Sequence, residues 1–237
     1  MVQKLTDSIR DLQRKNKAPV ISEIKLRTPR DGDLLKERDP VELAKKMAST
    51  EVAGISVVTE SKHFGGSMEL LKHVAEAVNK PVLHKDFITT VEQIERSKEL
   101  GSSAVLLIAN QLDNSSLVAL NEQVHELNLE AVVEVHTEYD LKRVIGLGLE
   151  IDILGINNRD INVLETDNSD VSVTETLIQK AQGDFPILSE SSLKTPDEVR
   201  RALQSGADCV LIGTAVMQAI DVMSFLRELI RIWEMLE

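Results

Sequence analysis

Eight short apolar runs, each followed by a polar or glycine-containing turn, recur along the 237-residue chain. They are rich in valine, isoleucine and leucine, they are too short for typical helices, and only some of them alternate. Such runs are typical of strands that are buried on both faces of a parallel sheet. The pattern therefore predicts eight buried strands, with the sequences PVISEIK, GISVVTE, PVLHKDF, AVLLIAN, AVVEVH, ILGINNRD, FPILSES and CVLIGTA.

Amphipathic segments lie between these runs, and the clearest of them is TPDEVRRALQSG. Thr195 is placed to cap this helix, Glu198 completes a capping box, and Gly206 follows the last turn. Strand and helix patterns that alternate eight times predict a (β/α)8 barrel, with a doubly wound open sheet as the competing architecture. We interpret residues 1–237 as a single barrel domain in which residues 1–17 form an N-terminal helical extension.

Composition and charge narrow the classes of function. The chain is 42% hydrophobic and only 3% aromatic, so the core is expected to be aliphatic. Its formal net charge of −12 argues against a nucleic-acid partner, but a locally positive site for an anionic substrate remains compatible with it. The single cysteine, Cys209, excludes an intrachain disulfide and a multi-cysteine metal site. Because no long apolar stretch predicts a membrane span, we expect a cytoplasmic protein with no membrane partner.

Polar side chains follow the predicted strands at the end where barrel enzymes carry their active sites. Glu23 and Lys25 lie two residues apart in the first run, so their side chains should point to the same side of a strand. One charged residue at a strand end is usually only solvated, but a whole ring of them favours an active site. The ring contains Glu23, Lys25, Lys85, Glu134, Asn157, Arg159, Glu190 and Ser191.

The turns after the last two predicted strands favour a bound phosphate. Many (β/α)8 barrels bind phosphate at this place, through backbone N–H groups of serine- and glycine-rich turns beside a short helix. The segments SESSL and IGTAVMQAI occupy the two places and contain Ser192, Gly213 and Thr214. An ordinary capped helix would explain either turn alone, whereas the two together indicate an anion site.

A set of motifs in chain order carries a family resemblance across residues 18–220. The motifs are ISEIK…TP…G, FGGS, KDFI, LLI, VEVH, GINNRDI, SES and GTAVMQA. Together they closely resemble indole-3-glycerol-phosphate synthase, the ring-closing enzyme of tryptophan biosynthesis. The resemblance implies conversion of 1-(2-carboxyphenylamino)-1-deoxyribulose 5-phosphate to indole-3-glycerol phosphate, with release of carbon dioxide and water and without a metal or organic cofactor.

The resemblance also implies roles for individual residues. Lys85 corresponds to the family's general acid for ring closure. Lys25 corresponds to a lysine that holds substrate anions and donates a proton in a later step, and Glu134 corresponds to an acid/base for dehydration. The rest of the implied catalytic set is Glu23, Asn157 and Glu190. The substrate-binding set is Arg159 and Ser191, with Ser192, Gly213 and Thr214 at the phosphate and Phe64, Phe87, Pro29, Ile161 and Leu164 at the aromatic ring.

Three departures from the family pattern bear on this interpretation. Ser192 stands where glycine is common beside the phosphate, His84 stands where arginine commonly precedes the catalytic lysine, and TPRDG replaces the usual Ser-Pro-Ser start of the first loop. Glycine serves close backbone approach or positive φ, so Ser192 raises a question about phosphate affinity. His84 is expected to face away from the site, because its neighbour Lys85 lies on the opposite face of the strand.

Two other functions compete with the synthase. A phosphoribosylanthranilate isomerase, a neighbouring barrel enzyme, would call for a cysteine base at the end of the first strand, where this chain has Glu23 and Lys25. A catalytically inactive barrel subunit would not need the full polar ring, although Ser192 would fit such a subunit. The expected partner is a small phosphorylated substrate, and the expected oligomeric state is a monomer, which no sequence pattern fixes.

Overall fold

The computed structural model describes residues 3–159 and 170–235, and its parallel strands close into a barrel. Each strand pairs with its neighbours in the chain, and the first pairs with the last, so that Val20 lies opposite Val210. The predicted (β/α)8 barrel is confirmed, and the open-sheet alternative is wrong. The strands are β1 (Val20–Ile24), β2 (Gly54–Val58), β3 (Val82–Lys85), β4 (Ala104–Ile108), β5 (Glu130–Val135), β6 (Ile153–Asn157), β7 (Ile187–Glu190) and β8 (Cys209–Ile212).

Helices connect the strands on the outside of the barrel. Within the described ranges, none of them is long and apolar enough to cross a lipid bilayer. They are α1 (Leu5–Arg14), α2 (Pro40–Ala48), α3 (Met68–Ala77), α4 (Val91–Glu99), α5 (Asn114–Glu126), α6 (Glu138–Gly146), α7 (Ser172–Leu177), α8 (Pro196–Gln204), α9 (Thr214–Gln218) and α10 (Val222–Arg231).

Polar side-chain caps fix where several of these helices begin. In α8, Glu198 N donates to Thr195 Oγ1 at 3.3 Å and Thr195 N donates to the Glu198 carboxylate at 2.8 Å, which confirms the predicted capping box. Gly206 follows the helix with a φ of +110°, as a terminating glycine should. Helix α2 begins after Asp39, whose side chain accepts hydrogen bonds from the N–H groups of Val41 and Glu42 in the first turn.

Helix α1 closes the amino-terminal end of the barrel and leaves the carboxyl ends of the strands open. Leu5 and Ile9 are fully buried and pack with side chains that fill the barrel. Glu130, the first residue of β5, holds the helix: its carboxylate accepts from Leu5 N and from Thr6 Oγ1, both at 2.5 Å. The contact places negative charge at a helix N-terminus, where backbone N–H groups lack intrahelical partners. This helix corresponds to the predicted N-terminal helical extension.

Aliphatic side chains form the core on both sides of the strands. Outside the barrel, Ile24 of β1 belongs to a buried cluster with Met47 of α2 and Leu71 of α3. Inside the barrel, residues such as Leu83 and Cys209 form a separate cluster. Ile24 therefore points outward, as its place between two charged residues requires, and Cys209 is a small core residue, as predicted.

The first loop contains a short hairpin that the sequence pattern does not predict. Arg27–Thr28 pairs with the antiparallel Gly32–Asp33, and Asp31 N donates to Thr28 Oγ1 at 2.9 Å. Gly32 has a φ of +68°, which glycine adopts at little cost. Two-residue strands leave no periodic pattern in a sequence, so this hairpin became visible only in the structure.

Candidate active site

Lys85 lies at the open end of the barrel between two carboxylates from other strands. Its Nζ forms an ion pair with Glu190 Oε2 and lies 3.4 Å from Glu134 Oε2. The side chains of Glu134 and Glu190 are 1% and 0% exposed, whereas that of Lys85 is 17% exposed. Because β3, β5 and β7 all end on this side of the barrel, the three groups converge although they are far apart in the chain.

The charges of this cluster decide its protonation. Burial alone would lower the pKa of Lys85, but the carboxylates of Glu190, Glu134 and Glu23 outweigh burial and raise this pKa above its ordinary value. Lys85 is therefore an ammonium at neutral pH. Burial raises the pKa of Glu190 to about 7, an increase that Lys85 opposes and Glu134 reinforces. A sequence does not show whether burial or nearby carboxylates control the pKa of Lys85; in the structure the surrounding glutamates have the larger effect.

Glu190 is expected to make the stability of the fold depend on pH. A carboxyl group whose pKa rises from 4.5 in the unfolded chain to about 7 in the folded chain takes up a proton on folding between these values. Its contribution to the free energy of unfolding is therefore present below about pH 4.5 and is lost as the pH rises through about 7.

The variant Glu190→Gln tests this pH dependence, because its amide does not titrate. Between about pH 5 and about pH 8, urea unfolding should show a larger loss of stability for the wild type than for the variant. Equal losses in the two proteins would contradict the assignment.

A second ion pair lies beside the first. Lys25 Nζ is 3.3 Å from Glu23 Oε1, and the two side chains are 8% and 2% exposed. Ser56 on β2 donates to Glu23 Oε2 at 3.2 Å, and the Lys25 ammonium lies 5.6 Å from the centre of the Phe64 ring, within cation–π range. The two charged side chains thus share one buried side of β1, as their spacing predicts, and the simpler explanation of a solvated surface pair is wrong.

Two glycines make room for the buried carboxylates. A Cβ atom at Gly155 of β6 would lie 2.7 Å from Glu190 Oε1, and one at Gly213, just after β8, would overlap Glu23 Oε1. Any larger residue would therefore displace a charged group of the site. Gly213 was predicted at the phosphate, whereas Gly155 was not predicted, because a glycine within a strand does not show by itself which group approaches it.

The cavity at the open end of the barrel has two lobes, which share Glu23, Lys25, Lys85, Arg159 and Ser191. The first lobe measures about 620 Å³ and combines the ion pairs with an apolar wall of Val58, Phe64, Phe87, Leu106 and Ile108. The second lobe measures about 1010 Å³ and lies at the ends of β7 and β8, where its lining includes Arg30, Ser192, Lys194, Gly213, Thr214 and Gln218. Such a cavity suits a substrate that has both an aromatic ring and anionic groups.

Most of the predicted site residues line these two lobes. Glu190 lies beside the first lobe in contact with Lys85. Pro29 is exposed in the turn of the hairpin and lines neither lobe, whereas its neighbour Arg30 lines the second. The predicted Ile161 and Leu164 lie outside the described residues. The first lobe contains Glu23, Lys25, Phe64, Lys85, Phe87, Glu134, Asn157, Arg159 and Ser191, and the second adds Ser192, Gly213 and Thr214.

Two acidic residues of the first lobe, Glu60 and Asp86, were not among the predicted site residues. The Glu60 carboxylate accepts from the backbone N–H groups of His63 at 2.7 Å and Phe64 at 3.1 Å, so it fixes the turn that carries Phe64. Asp86 accepts from Phe87 N at 2.7 Å. Both acids come within two residues of the end of a strand, which is the signal that would have found them.

Comparison with known proteins decides the family. The chain matches the family model described as indole-3-glycerol phosphate synthase over residues 2–229. It is 42% identical over 221 residues to an indole-3-glycerol phosphate synthase of Pyrococcus furiosus, in an alignment that covers 93% of this chain and 95% of the relative. The chain belongs to the indole-3-glycerol phosphate synthase family. A synthase of Thermococcus kodakarensis is 40% identical over 225 residues, which cover 94% of this chain and 96% of the relative.

Membership in the synthase family confirms the resemblance and the carboxy-lyase activity that the motifs implied. Solved structures at much lower identity show the same fold. An N-acetylmannosamine-6-phosphate 2-epimerase from Clostridium perfringens superposes with a TM-score of 0.66 at 16% identity and covers 91% of each chain. A thiamine phosphate pyrophosphorylase from Pyrococcus furiosus gives 0.64 at 15% identity and covers 94% of this chain and 98% of its own. These two likenesses support the barrel alone.

Ser192, where the family resemblance implies a glycine, has a backbone conformation that glycine adopts readily. Its φ is +59°, and that of Ser191 is +64°. Asn158 supports the turn, because its side-chain amide donates to Glu190 O at 3.0 Å and to Ser191 O at 3.2 Å. The replacement therefore changes the side chain beside the second lobe while the left-handed backbone is retained.

Replacing Ser192 with glycine is expected to stabilise the protein slightly. A left-handed conformation costs an L-residue roughly 1–2 kcal/mol, and glycine avoids this cost. The greater conformational freedom of glycine in the unfolded chain opposes the gain by about 0.5–1 kcal/mol. Urea unfolding should therefore show a gain of about 0.5–1 kcal/mol. The matched control is Ser205→Gly, which should lose stability because the φ of Ser205 is −73°. A loss in both variants would contradict the expectation.

Two histidines near the synthase site have different environments. His84 faces away from the cavity, as predicted: its ring nitrogens contact Ser97 Oγ at 2.6 Å and Thr59 Oγ1 at 2.7 Å, and burial lowers its pKa to about 4. His136 follows β5 and lies next to the acidic cluster. Its side chain is 6% exposed and its Nε2 lies 3.4 Å from Glu134 Oε1.

Proposed function

We propose that the first lobe converts 1-(2-carboxyphenylamino)-1-deoxyribulose 5-phosphate to indole-3-glycerol phosphate by ring closure, decarboxylation and dehydration. The observation that carries the proposal is the partly exposed Lys85 ammonium, which the buried Glu134 and Glu190 hold beside an apolar wall. Loss of carbon dioxide and water from the substrate gives the product without any oxidation or reduction. The reaction therefore requires an acid, a base and binding sites for two anionic groups, and the residues of the two lobes can supply all of these.

Lys85 acts as the general acid for ring closure. When the aromatic carbon bonds to the ketone carbon, negative charge develops on the ketone oxygen, and a nearby ammonium can donate its proton to that oxygen. Three glutamates keep Lys85 protonated, and its partial exposure is compatible with access to the cavity. The ion pairs to Glu134 and Glu190 also hold the ammonium in place before the substrate binds, which lowers the entropic cost of reaching the transition state.

Lys25 and Arg159 bind the anionic groups of the substrate. Both side chains line the two lobes, so they lie between the region for the aromatic ring and the region for the phosphate. Lys25 holds the carboxylate that leaves as carbon dioxide, and it donates a proton in a later step. Glu23, 3.3 Å away, orients this ammonium, while Asn157 accepts a hydrogen bond from Arg159 N at 3.0 Å.

Glu134 serves as the acid/base for dehydration. Ring closure leaves a hydroxyl group whose departure needs a proton, and restoring aromaticity requires removal of another proton. Glu134 lies 3.4 Å from the Lys85 ammonium and 3.4 Å from His136 Nε2, so it can exchange protons within the cluster. Glu190, with a pKa of about 7, is suited to returning a proton to Lys85 at neutral pH.

Two regions of different polarity orient the substrate. The aromatic ring packs against Phe64 and Phe87, with Ile161 and Leu164 as further contacts from outside the described residues. The phosphate binds in the second lobe near Ser192, Gly213 and Thr214, where backbone N–H groups and cationic side chains are available. This orientation places the ketone between the two ends, beside Lys85.

A fluorescence assay tests the proposed function. The purified protein is supplied with the carboxyphenylamino-deoxyribulose phosphate, and formation of the indole ring is followed by its fluorescence. We expect multiple turnovers of the wild type without added metal or organic cofactor. Folded protein that forms no indole product would contradict the proposal.

The isomerase alternative is disfavoured by the surroundings of the cysteine. Cys209 is fully buried inside the barrel and lines neither lobe, and burial raises the pKa of its thiol. A buried thiol of this kind stays protonated at neutral pH, so it does not supply the thiolate that would act as a base. The end of β1, where the isomerase would need a cysteine, carries Glu23 and Lys25 instead. An inactive barrel subunit is disfavoured as well, because the described lobes contain a complete set of acid, base and cationic groups.

We also infer that residues 1–237 act as a single barrel domain, as a monomer, and in the cytoplasm. The proposed substrate is an intermediate of amino-acid biosynthesis. Light scattering coupled to size-exclusion chromatography tests the monomer. A dimer that persists at nanomolar concentration would contradict it.

A further inference from the structure

We propose that Arg30 is an additional phosphate-binding cation in this chain, an inference that rests on the proposed function. Arg30 belongs to TPRDG, where relatives commonly carry Ser-Pro-Ser, and its side chain lines the second lobe together with Ser192 and Gly213. Two departures from the family pattern, Ser192 and Arg30, therefore meet in the lobe that we assign to the phosphate. The arginine supplies a charge that a serine in this loop lacks.

Contacts on both sides of the loop hold Arg30 over the second lobe. Gln218 of α9 forms a side-chain hydrogen bond with Asp31, the residue after Arg30. Further along, the Arg38 guanidinium donates to Met217 O at 2.6 Å and to Leu34 O at 2.5 Å. Because α9 follows Gly213 directly, these contacts tie the first loop to the segment that surrounds the phosphate.

Asp31 orients the Arg30 side chain. Arg30 Nη2 lies 3.1 Å from Asp31 Oδ2, and the two side chains are 31% and 21% exposed. Burial would raise the pKa of Asp31, but hydrogen bonds and the charge of Arg30 hold it below its ordinary value, so Asp31 is a carboxylate and the pair is ionic. A guanidinium has five N–H donors in a rigid fork, so it can contact a carboxylate and a phosphate at the same time.

The charge of the second lobe matches a phosphate. Its lining includes Lys25, Arg30, Arg159 and Lys194, and within the part of the chain that the structure describes the acidic lining residue is Glu23. This excess of positive charge lies on a protein whose formal net charge is −12. An arginine that is pre-oriented at the rim of such a lobe can bind two phosphate oxygens at once.

Titration calorimetry with inorganic phosphate tests the role of Arg30 without relying on turnover. We expect Arg30→Ser to raise the Kd for phosphate about tenfold, since a charge-assisted hydrogen bond to phosphate is lost. Arg30→Lys should recover part of the affinity, because it keeps the charge but not the fork. The matched control is Arg14→Ser on α1, at the closed end of the barrel, where the side chain is 73% exposed; its Kd should equal that of the wild type. Circular dichroism confirms that each variant is folded.

Steady-state kinetics complete the test. The decrease of kcat/KM in Arg30→Ser should arise mainly from an increase in KM. With a substrate analogue that lacks the phosphate, the variant and the wild type should have equal kcat/KM. An unchanged Kd for inorganic phosphate, or equal losses in Arg30→Ser and Arg30→Lys, would overturn the proposal and assign Arg30 a purely structural role in the loop. If the wild type binds phosphate and Arg30→Ser weakens this binding, but neither protein forms indole, the role of Arg30 in phosphate binding is supported. The proposed synthase function is then contradicted.

Discussion

Replacing Lys85 with alanine is expected to lower kcat by about a thousandfold or more while substrate affinity changes little. The variant loses both the proton donor and the positive charge that faces the developing oxyanion. The groups proposed to bind the carboxylate and the phosphate remain, because Lys25, Arg159 and Ser192 come from other strand ends. The kcat is measured by indole fluorescence, and affinity is measured by calorimetry with the analogue whose ketone is reduced to an alcohol.

A charge-conserving variant separates acid catalysis from loss of structure. In Lys85→Ala the buried Glu134 and Glu190 lose their common cation, which destabilises the fold unless one of them takes up a proton. Lys85→Arg retains a cation, so it should unfold at a urea concentration closer to that of the wild type. A guanidinium does not release its proton in a protein, so turnover should remain slow. Near-wild-type turnover in Lys85→Arg would show that the charge matters and the transferred proton does not.

Replacing Glu134 with glutamine is expected to lower kcat by roughly 10²- to 10³-fold, because an amide cannot carry a proton to and from the substrate. If Glu134 acts in dehydration, ring closure and loss of carbon dioxide still occur in the variant. An intermediate heavier than the product by one water molecule should therefore accumulate during a single turnover. Rapid quenching followed by mass spectrometry detects this intermediate.

Glu130 offers a matched control on the same strand. It is also a buried glutamate of β5, but it lies at the closed end, where it holds α1 through Leu5 and Thr6. Glu130→Gln should lower the free energy of unfolding, since the charged cap of the helix is lost, and it should leave kcat unchanged. Accumulation of unreacted substrate in Glu134→Gln, rather than of the intermediate, would assign Glu134 to ring closure instead.

The sequence predicts the barrel well because its topology follows from local patterns. Each strand is a short aliphatic run buried on both sides, and eight such runs alternating with amphipathic segments leave few alternatives. The position of the site follows from the same argument. All strands of a parallel barrel end on one side, so Lys85, Glu134 and Glu190 must meet there despite their separation in the chain.

Other properties of the site depend on distances that a sequence does not contain. Whether Lys85 is charged depends on how closely the glutamates approach it, since burial and ion pairing act in opposite directions. A glycine is needed at position 155 because the carboxylate of Glu190, on the neighbouring strand, occupies the space of a side chain. The hairpin around Pro29 is too short to leave a periodic pattern, so the sequence placed Pro29 at the substrate, whereas the structure places Arg30 at the cavity.

The central claim is that Lys85, and not Lys25, is the acid that protonates the ketone oxygen. A crystal structure of the protein with the reduced analogue tests it most directly, because the alcohol oxygen of the analogue marks the position of the ketone oxygen. We expect Lys85 Nζ within about 3 Å of that oxygen, at hydrogen-bond distance, with the phosphate in the second lobe beside Ser192. A complex in which this oxygen contacts Lys25, while Lys85 contacts only its two glutamates, would contradict the claim.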